Sequence, residues 1–166
     1  MTSNLELDTD KEFLYENKSN RGFFGVAVIG PRFEANIGIL ARTANIFGAA
    51  FVATIGERYN RPRTDTGHIA RHKPVFHYQT FEDFYVHLPQ KTDLVGIELD
   101  QDAKPIEKVT WTPRPIFLFG AEDYGIPKKY LNMCRYKVKL PGTISMNLSA
   151  CASIIMYDYW LKLQNK

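Results

Sequence analysis

The chain has 166 residues, which is enough for one full-sized domain and too short for two of ordinary size. Hydrophobic residues make up 45% of it, so a real core can form, and a net charge of +3 does not by itself indicate a polyanionic partner. Its two cysteines, Cys134 and Cys151, indicate neither a disulfide framework nor a metal cluster. No segment approaches the roughly 18 apolar residues of a membrane span, so we expect a soluble, cytoplasmic protein.

The chain opens with a polar, acidic stretch, residues 1–20, which we expect to be a flexible N-terminal extension. Residues 21–166 then form a single domain in which short apolar runs alternate with helical patterns. Several runs are continuously apolar, which is typical of strands buried on both faces of a parallel sheet. The predicted strands are Phe23–Ile29, Ala50–Ile55, Pro74–Tyr78, Leu94–Leu99, Pro115–Phe119 and Tyr136–Leu140.

The first predicted helix follows the first strand. Its apolar residues recur at spacings of three and four, at Ile37, Leu40, Ala44 and Phe47. Asn36 is well suited to cap its start and Gly48 to end it.

Three further helices are predicted. Thr80 can cap the second, with Asp83 three residues later, and the third starts with Pro127 and runs to about Cys134. The last, Asn147 to about Leu163, is apolar on more than one side, which favours packing against a second copy of the chain. The fold class is therefore α/β, with a mostly parallel sheet flanked by helices.

Three clusters of small and polar residues lie at the edges of apolar strands, at 36–48, 119–127 and 140–149. Because open α/β sheets bind ligands at the carboxyl ends of their strands, we expect the clusters to assemble one site. The Arg42 side chain can extend back toward Asn36, so that both residues contact one ligand. Alternatively, Arg42 is a surface residue and Asn36 is only a helix cap. Glu122 can favour the positive end of the following helix or orient a catalytic arginine. Ser145 and Asn147 are helix caps or ligand contacts.

A basic stretch occupies residues 58–73, and it is either a solvated loop or a phosphate-binding surface. Its candidate RNA contacts are Arg58, Arg61, Arg63 and Arg71, to which Arg21 and Arg32 can add. His68 and His72 have i, i+4 spacing but no accompanying glutamate, so no metal is predicted. Neither a Rossmann G-x-G-x-x-G nor a P-loop sequence is present.

Together the clusters resemble the signature motifs of the SpoU/TrmH family of SPOUT-type RNA 2′-O-ribose methyltransferases. The first motif, N-x-G-x-x-x-R-T-A followed by F-G, is present as Asn36, Gly38, Arg42, Thr43, Ala44, Phe47 and Gly48. The second, F-G-x-E-x-x-G-I, is present as Phe119, Gly120, Glu122, Gly125 and Ile126. The third, S-[ML]-N-[LV]-S, spans Ser145 to Ser149, and the whole resemblance covers roughly residues 22–164.

The resemblance implies a homodimer, joined here through the C-terminal helix, whose fold contains a C-terminal trefoil knot. It also implies S-adenosylmethionine as cofactor, on backbone groups near Ile97, Gly120, Leu140, Ser145 and Leu148. Family chemistry assigns activation of the ribose hydroxyl to the arginine that matches Arg42. The matching residues that organise the site are Asn36, Glu122, Ser145 and Asn147.

Arginine is very hard to deprotonate, so Arg42 can equally act as a phosphate clamp that stabilises the developing alkoxide. The chain lacks the separate N-terminal RNA-binding domain of some rRNA-modifying members, which favours tRNA over rRNA as substrate. Two rival functions stay open, a binding or assembly protein that has lost turnover and a methyltransferase acting on a base nitrogen.

Overall fold

The computed structural model describes residues 23–56 and 73–164. The predicted extension 1–20 lies outside the described residues, as do Arg21, Arg58, Arg61, Arg63 and Arg71. The strands are β1 Gly25–Ile29, β2 Phe51–Ile55, β3 Val75–Tyr78, β4 Asp93–Ile97, β5 Lys104–Pro105, β6 Pro115–Phe119 and β7 Tyr136–Lys139. The helices are α1 Glu34–Ile46, α2 Phe81–Val86, α3 Lys128–Leu131 and α4 Leu148–Gln164, with a 3-10 turn at Ile106–Lys108.

The strands form one sheet in the order β3-β2-β1-β6-β4-β7-β5, and each neighbouring pair is parallel. The expected parallel α/β architecture is confirmed. All six predicted strands occur within about two residues of their expected bounds, whereas β5 was missed. Its two residues are too few to produce a recognisable apolar pattern.

Successive side chains of a strand point to opposite faces, and β6 shows how both faces are covered. Phe117 and Phe119 pack in the same core as residues of α1 and α4. Ile116 and Leu118 pack instead with residues of α2 and α3, such as Phe84. Because both faces are buried, the strand reads as a continuous apolar run, and the domain has three layers.

The carboxyl ends of three central strands are level with one another. Ile97 at the end of β4 pairs with Phe119 on one side and with Val138 on the other. The loops that follow β4, β6 and β7 therefore leave the sheet side by side. This arrangement brings the second and third sequence clusters together.

Helix ends agree only in part with the sequence prediction. Thr80 caps α2 as expected, since its Oγ1 accepts a hydrogen bond from the Asp83 amide at 3.1 Å. The predicted cap at Asn36 is wrong, because α1 begins at Glu34 after an extended Phe33 that provides no side-chain cap. Asn36 lies inside the first turn, where its amide is free to bond outside the helix. Helix α3 is a single turn, and Pro127 precedes it.

Within the described ranges, no helix is long and apolar enough to cross a bilayer. The predicted trefoil knot stays a prediction, since strand order alone does not define how a chain threads through its own loops.

Candidate functional site

A pocket of about 300 Å³ opens where the loops after β4, β6 and β7 meet. Its wall includes all five residues that were predicted to bind the cofactor: Ile97, Gly120, Leu140, Ser145 and Leu148. Ile97, Leu140 and Leu148 are buried, whereas Ser145 is exposed at the opening. The sequence therefore identified one continuous cavity, and the cofactor contacts themselves stay a prediction.

A line of hydrogen bonds beside this pocket joins the three sequence clusters. The Asn36 side-chain amide donates to Glu122 Oε1 at 2.7 Å. The Asn147 side-chain amide donates to Asn36 Oδ1 at 3.0 Å. These residues are 86 and 111 positions apart, so only the folded chain brings them together. The expected assembly of one site from separate clusters is present for Asn36, Glu122 and Asn147.

Within this chain the Glu122 carboxylate bonds to the start of α1, and its expected role in organising the site stays a prediction. Its second oxygen, Oε2, accepts from the Arg32 backbone amide at 3.3 Å, so the carboxylate is engaged by α1 and the loop before it. It contacts neither α3 nor Arg42 through any hydrogen bond among the described residues. The Arg32 guanidinium pairs with Asp123, which ties the same two loops together a second time.

Asn147 caps a helix and links two motifs at the same time. Its Oδ1 accepts from the amides of Ser149 at 3.0 Å and Ala150 at 3.3 Å, the usual pattern of an N-cap. Ser149 Oγ adds a bond to the same oxygen at 2.7 Å. Because the cap uses the oxygen, the amide nitrogen remains available for Asn36.

The turn after β6 is held tightly against the loop after β4. The Gly125 amide donates to the Ala121 carbonyl at 2.9 Å, and Gly125 has φ +64, a conformation that favours glycine. A side chain at Gly120 would collide with the backbone of Gly125. Close approach to Gly125 therefore requires glycine at position 120, whereas the positive φ and the nearby Glu98 carboxylate favour glycine at position 125.

Glu98 is a pocket residue that sequence reasoning missed. Its Oε2 accepts from the Ile126 amide at 2.8 Å, and its Oε1 accepts from the Leu99 amide at 3.0 Å. It thereby fixes the turn of the second cluster. The sequence feature that could have identified Glu98 is its position as a carboxylate directly after β4, at the same edge of the sheet as the other clusters.

The pocket combines an apolar interior with acidic groups. Glu98, Glu122 and Asp123 line it, and none of its described lining residues is basic. Cys151 also lines it, and burial raises the pKa of that thiol to about 12, so the sulfur stays protonated and neutral. This environment suits a ligand that is partly apolar and carries positive charge.

Arg42 does not line the pocket of its own chain. The side chain is exposed and makes no hydrogen bond or ion pair within residues 23–56 and 73–164. The physical reason is helix geometry, because six residues correspond to roughly 240° around the axis, so Arg42 and Asn36 point in different directions. Within one chain, therefore, the Arg42 and Asn36 side chains do not meet, and the role of Arg42 at the site stays a prediction.

A parallel α/β sheet with its cavity at the carboxyl ends of the strands defines a ligand-binding protein of the kind common among enzymes. The family model of the SpoU rRNA methylase family matches residues 24–157. The chain belongs to this family.

Two kinds of relative agree with that assignment. A protein of Archaeoglobus fulgidus, described as an uncharacterized tRNA/rRNA methyltransferase, is 27% identical over 155 residues, which is 89% of this chain and 69% of the relative. A protein solved in a study of the 2-OH methylation of C/U34 on tRNA superposes with a TM-score of 0.77 at 20% identity, covering 87% of this chain and 99% of that one.

The SpoU methyltransferase AviRb from Streptomyces viridochromogenes, solved in complex with the cofactor AdoMet, superposes with a TM-score of 0.76 at 21% identity. The match covers 85% of this chain but 58% of AviRb. At such identities the two solved structures show a shared fold.

Proposed function

We propose that this protein transfers a methyl group from S-adenosylmethionine to a ribose 2′-OH of RNA. Family membership and the AdoMet complex of AviRb support the cofactor. The observation that carries the proposal is the hydrogen-bonded line from Glu122 through Asn36 to Asn147, which joins all three family motifs beside one pocket.

The residues present fit such a cofactor. Its sulfonium and amino groups are positively charged, and the carboxylates of Glu98 and Glu122, which have no cationic partner among the described residues, complement that charge. Its adenine suits the apolar wall formed by Ile97, Leu140 and Leu148. When bound, the cofactor supplies a methyl group activated by the sulfonium.

The protein's part is to position the ribose. In the transfer, the 2′ oxygen would bond to the methyl carbon, the sulfur would keep the electron pair of the broken sulfur–carbon bond, and the hydroxyl proton would pass to solvent water. A correct in-line approach can supply a large share of the barrier reduction. Asn36 and Asn147 bond to each other, and Asn147 also caps α4, so the surface that they form beside the pocket is preorganised.

Homodimer formation is part of the proposal. An apolar face of α1 and α4, here called the dimer face, carries side chains that are between 40% and 52% exposed. Its residues are Ile39, Ile46, Ile154, Tyr157, Trp160 and Leu161. Positions 39 and 46 are two helical turns apart, and 154, 157 and 161 follow spacings of three and four, so each set lies on one side of its helix.

Arg42 lies three residues after Ile39 and four before Ile46, on the same side of α1. In a dimer formed through this face, Arg42 would be at the boundary between subunits. There it can bind a phosphate of RNA that spans both copies and stabilise the charge that develops on the ribose oxygen. Such a position accounts for its distance from the pocket of its own chain.

Dimerisation is tested by sedimentation velocity at micromolar concentration. We expect a particle twice the mass of the 19.1 kDa chain, and we expect Tyr157→Glu to sediment as the monomer. Val86→Glu is the control, because Val86 is 74% exposed and lies on α2. A monomeric wild type would contradict the proposed dimer.

We favour tRNA as the substrate. The superposition covers 99% of the protein studied for 2-OH methylation of C/U34 on tRNA and 58% of AviRb, so the first is the fuller structural match. Phosphate contacts are proposed for Arg58, Arg61, Arg63 and Arg71. Neutralising Arg61 and Arg63 together should raise the apparent KM for RNA and flatten its salt dependence.

The central experiment is transfer of a labelled methyl group to fractionated RNA from a strain that lacks the protein, followed by mapping of the product. Label on a 2′ oxygen supports the proposal. Label on a base nitrogen, or RNA binding with no transfer, would replace it with one of the two rival functions.

Arg42→Ala tests the arginine in the same assay. We expect it to abolish transfer while cofactor affinity, measured by calorimetry, stays within about threefold of wild type, since a lost phosphate contact does not alter the pocket. Lys108→Ala is the matched control, because Lys108 is an exposed cation that does not line the pocket. Full activity of the Arg42 variant would remove it from the mechanism.

A further inference from the structure

The rim of the pocket carries large side chains that face solvent. Tyr124 is 77% exposed, Ile144 is 83% exposed and Met146 is 44% exposed, and all three line the opening. A single exposed apolar residue is ordinary, whereas three around one opening are typical of a surface that meets a partner. The rim therefore offers an apolar contact to a molecule that enters the pocket from outside.

Tyr124 is presented from a rigid backbone. The turn that carries it is closed by a hydrogen bond of 2.9 Å from the Gly125 amide to the Ala121 carbonyl. Just after the turn, the Ile126 amide donates to Glu98 at 2.8 Å. The Tyr124 ring itself makes no hydrogen bond or ring contact with any of the described residues. A fixed backbone with an unengaged aromatic ring is the arrangement that stacking platforms for single bases use.

The charge of the rim determines which part of a nucleotide can contact it. Asp123, beside Tyr124, is paired with the Arg32 guanidinium. In the described part of the chain, Glu122 and Glu98 accept only from neutral amides and keep their negative charge, and none of the lining residues there is basic. Carboxylates repel phosphates, so the backbone of the RNA must approach from another side. The uncharged base is the part of the nucleotide that can occupy the rim.

We infer that Tyr124 stacks on the base of the nucleotide whose ribose is methylated and thereby positions that ribose at the pocket. The inference rests on the proposed function. It assigns the substrate an orientation in which the base lies against Tyr124 and the flanking phosphates point away from Glu98 and Glu122. Unstacking of the target base from the RNA is then offset by stacking on the protein.

The test measures methyl transfer to the RNA mapped above, with the full chain. We expect Tyr124→Ala to lower kcat/KM for RNA roughly 5- to 150-fold, the range for loss of one stacked base, and Tyr124→Phe to stay within about twofold of wild type. Affinity for S-adenosylmethionine should not change. Tyr85→Ala is the control, because Tyr85 is 39% exposed and does not line the pocket.

A second substrate separates stacking from other effects of the substitution. RNA with an abasic target nucleotide should be methylated slowly by wild type, and Tyr124→Ala should slow it no further, because the contact is already absent. Additive losses, a parallel loss of cofactor affinity, or a fully active Tyr124→Ala would overturn the inference. A wild-type protein that methylates no RNA would instead refute the proposed function on which the inference rests. The two failures are distinguishable, because this one is seen with the wild type before any substitution is made.

Discussion

The hydrogen bond between Glu98 and the turn at Gly125 leads to a prediction that can be tested without a substrate. Gly125→Ala places a side chain where Glu98 Oε2 now lies, in a residue with φ +64. Gly48→Ala is the matched control. It has φ +77, and nothing lies within 4 Å of the position that its new side chain would take. Both substitutions strain the backbone, and only the first displaces a neighbour.

The magnitudes follow from these contacts. A left-handed conformation costs an alanine about 1–2 kcal/mol, a cost that both variants share. In Gly125→Ala the Glu98 carboxylate must also leave the Ile126 amide, now at 2.8 Å, and loss of a hydrogen bond to a charged group costs about 1.5–3 kcal/mol. Glu98 is half-buried, so water replaces part of that bond and the lower end applies. We expect Gly125→Ala to be about 1.5 kcal/mol less stable than Gly48→Ala.

Urea unfolding of both variants measures this difference directly. Each variant should remain folded, because domains of this size are typically stable by about 5–15 kcal/mol. Calorimetry with S-adenosylmethionine then shows whether displacing Glu98 also weakens the pocket, which we expect for Gly125→Ala alone. Equal unfolding free energies for the two variants would show that Glu98 does not brace the turn.

Two further predictions concern Asn147 and the cysteines. Asn147→Ala should lower the unfolding free energy by about 1 kcal/mol in urea through loss of the cap. Asn147→Asp keeps the capping oxygen and should retain that stability, yet it cannot donate to Asn36 and should lose methyl transfer; an active Asp variant would contradict the link. Burial raises the pKa of Cys134 and Cys151 from 9.0 to about 12, so the unfolded chain releases these protons first. Stability should therefore fall as pH rises from about 9 to 12, and should fall less in a variant with both cysteines replaced by alanine.

The strands and several helix ends could be predicted from local sequence. Pro115–Phe119 is apolar at every position because both faces of β6 are covered, and such a run is visible without any knowledge of the fold. Thr80 caps α2 through an amide only three residues away. The meeting of the clusters after β6 and β7 also follows from sequence, since the carboxyl ends of parallel strands lie at one edge of a sheet.

The tertiary structure alone decided which side chains bond to one another across these loops. Asn36 is a residue type typical of helix caps, yet its side-chain amide group forms hydrogen bonds with Glu122 and Asn147, which lie 86 and 111 residues away. No sequence motif identified Glu98, because its role depends on the Ile126 amide of a different loop. Arg42 shares a motif with Asn36 and still points elsewhere, since the rotation of the helix between them separates residues that the sequence places close together.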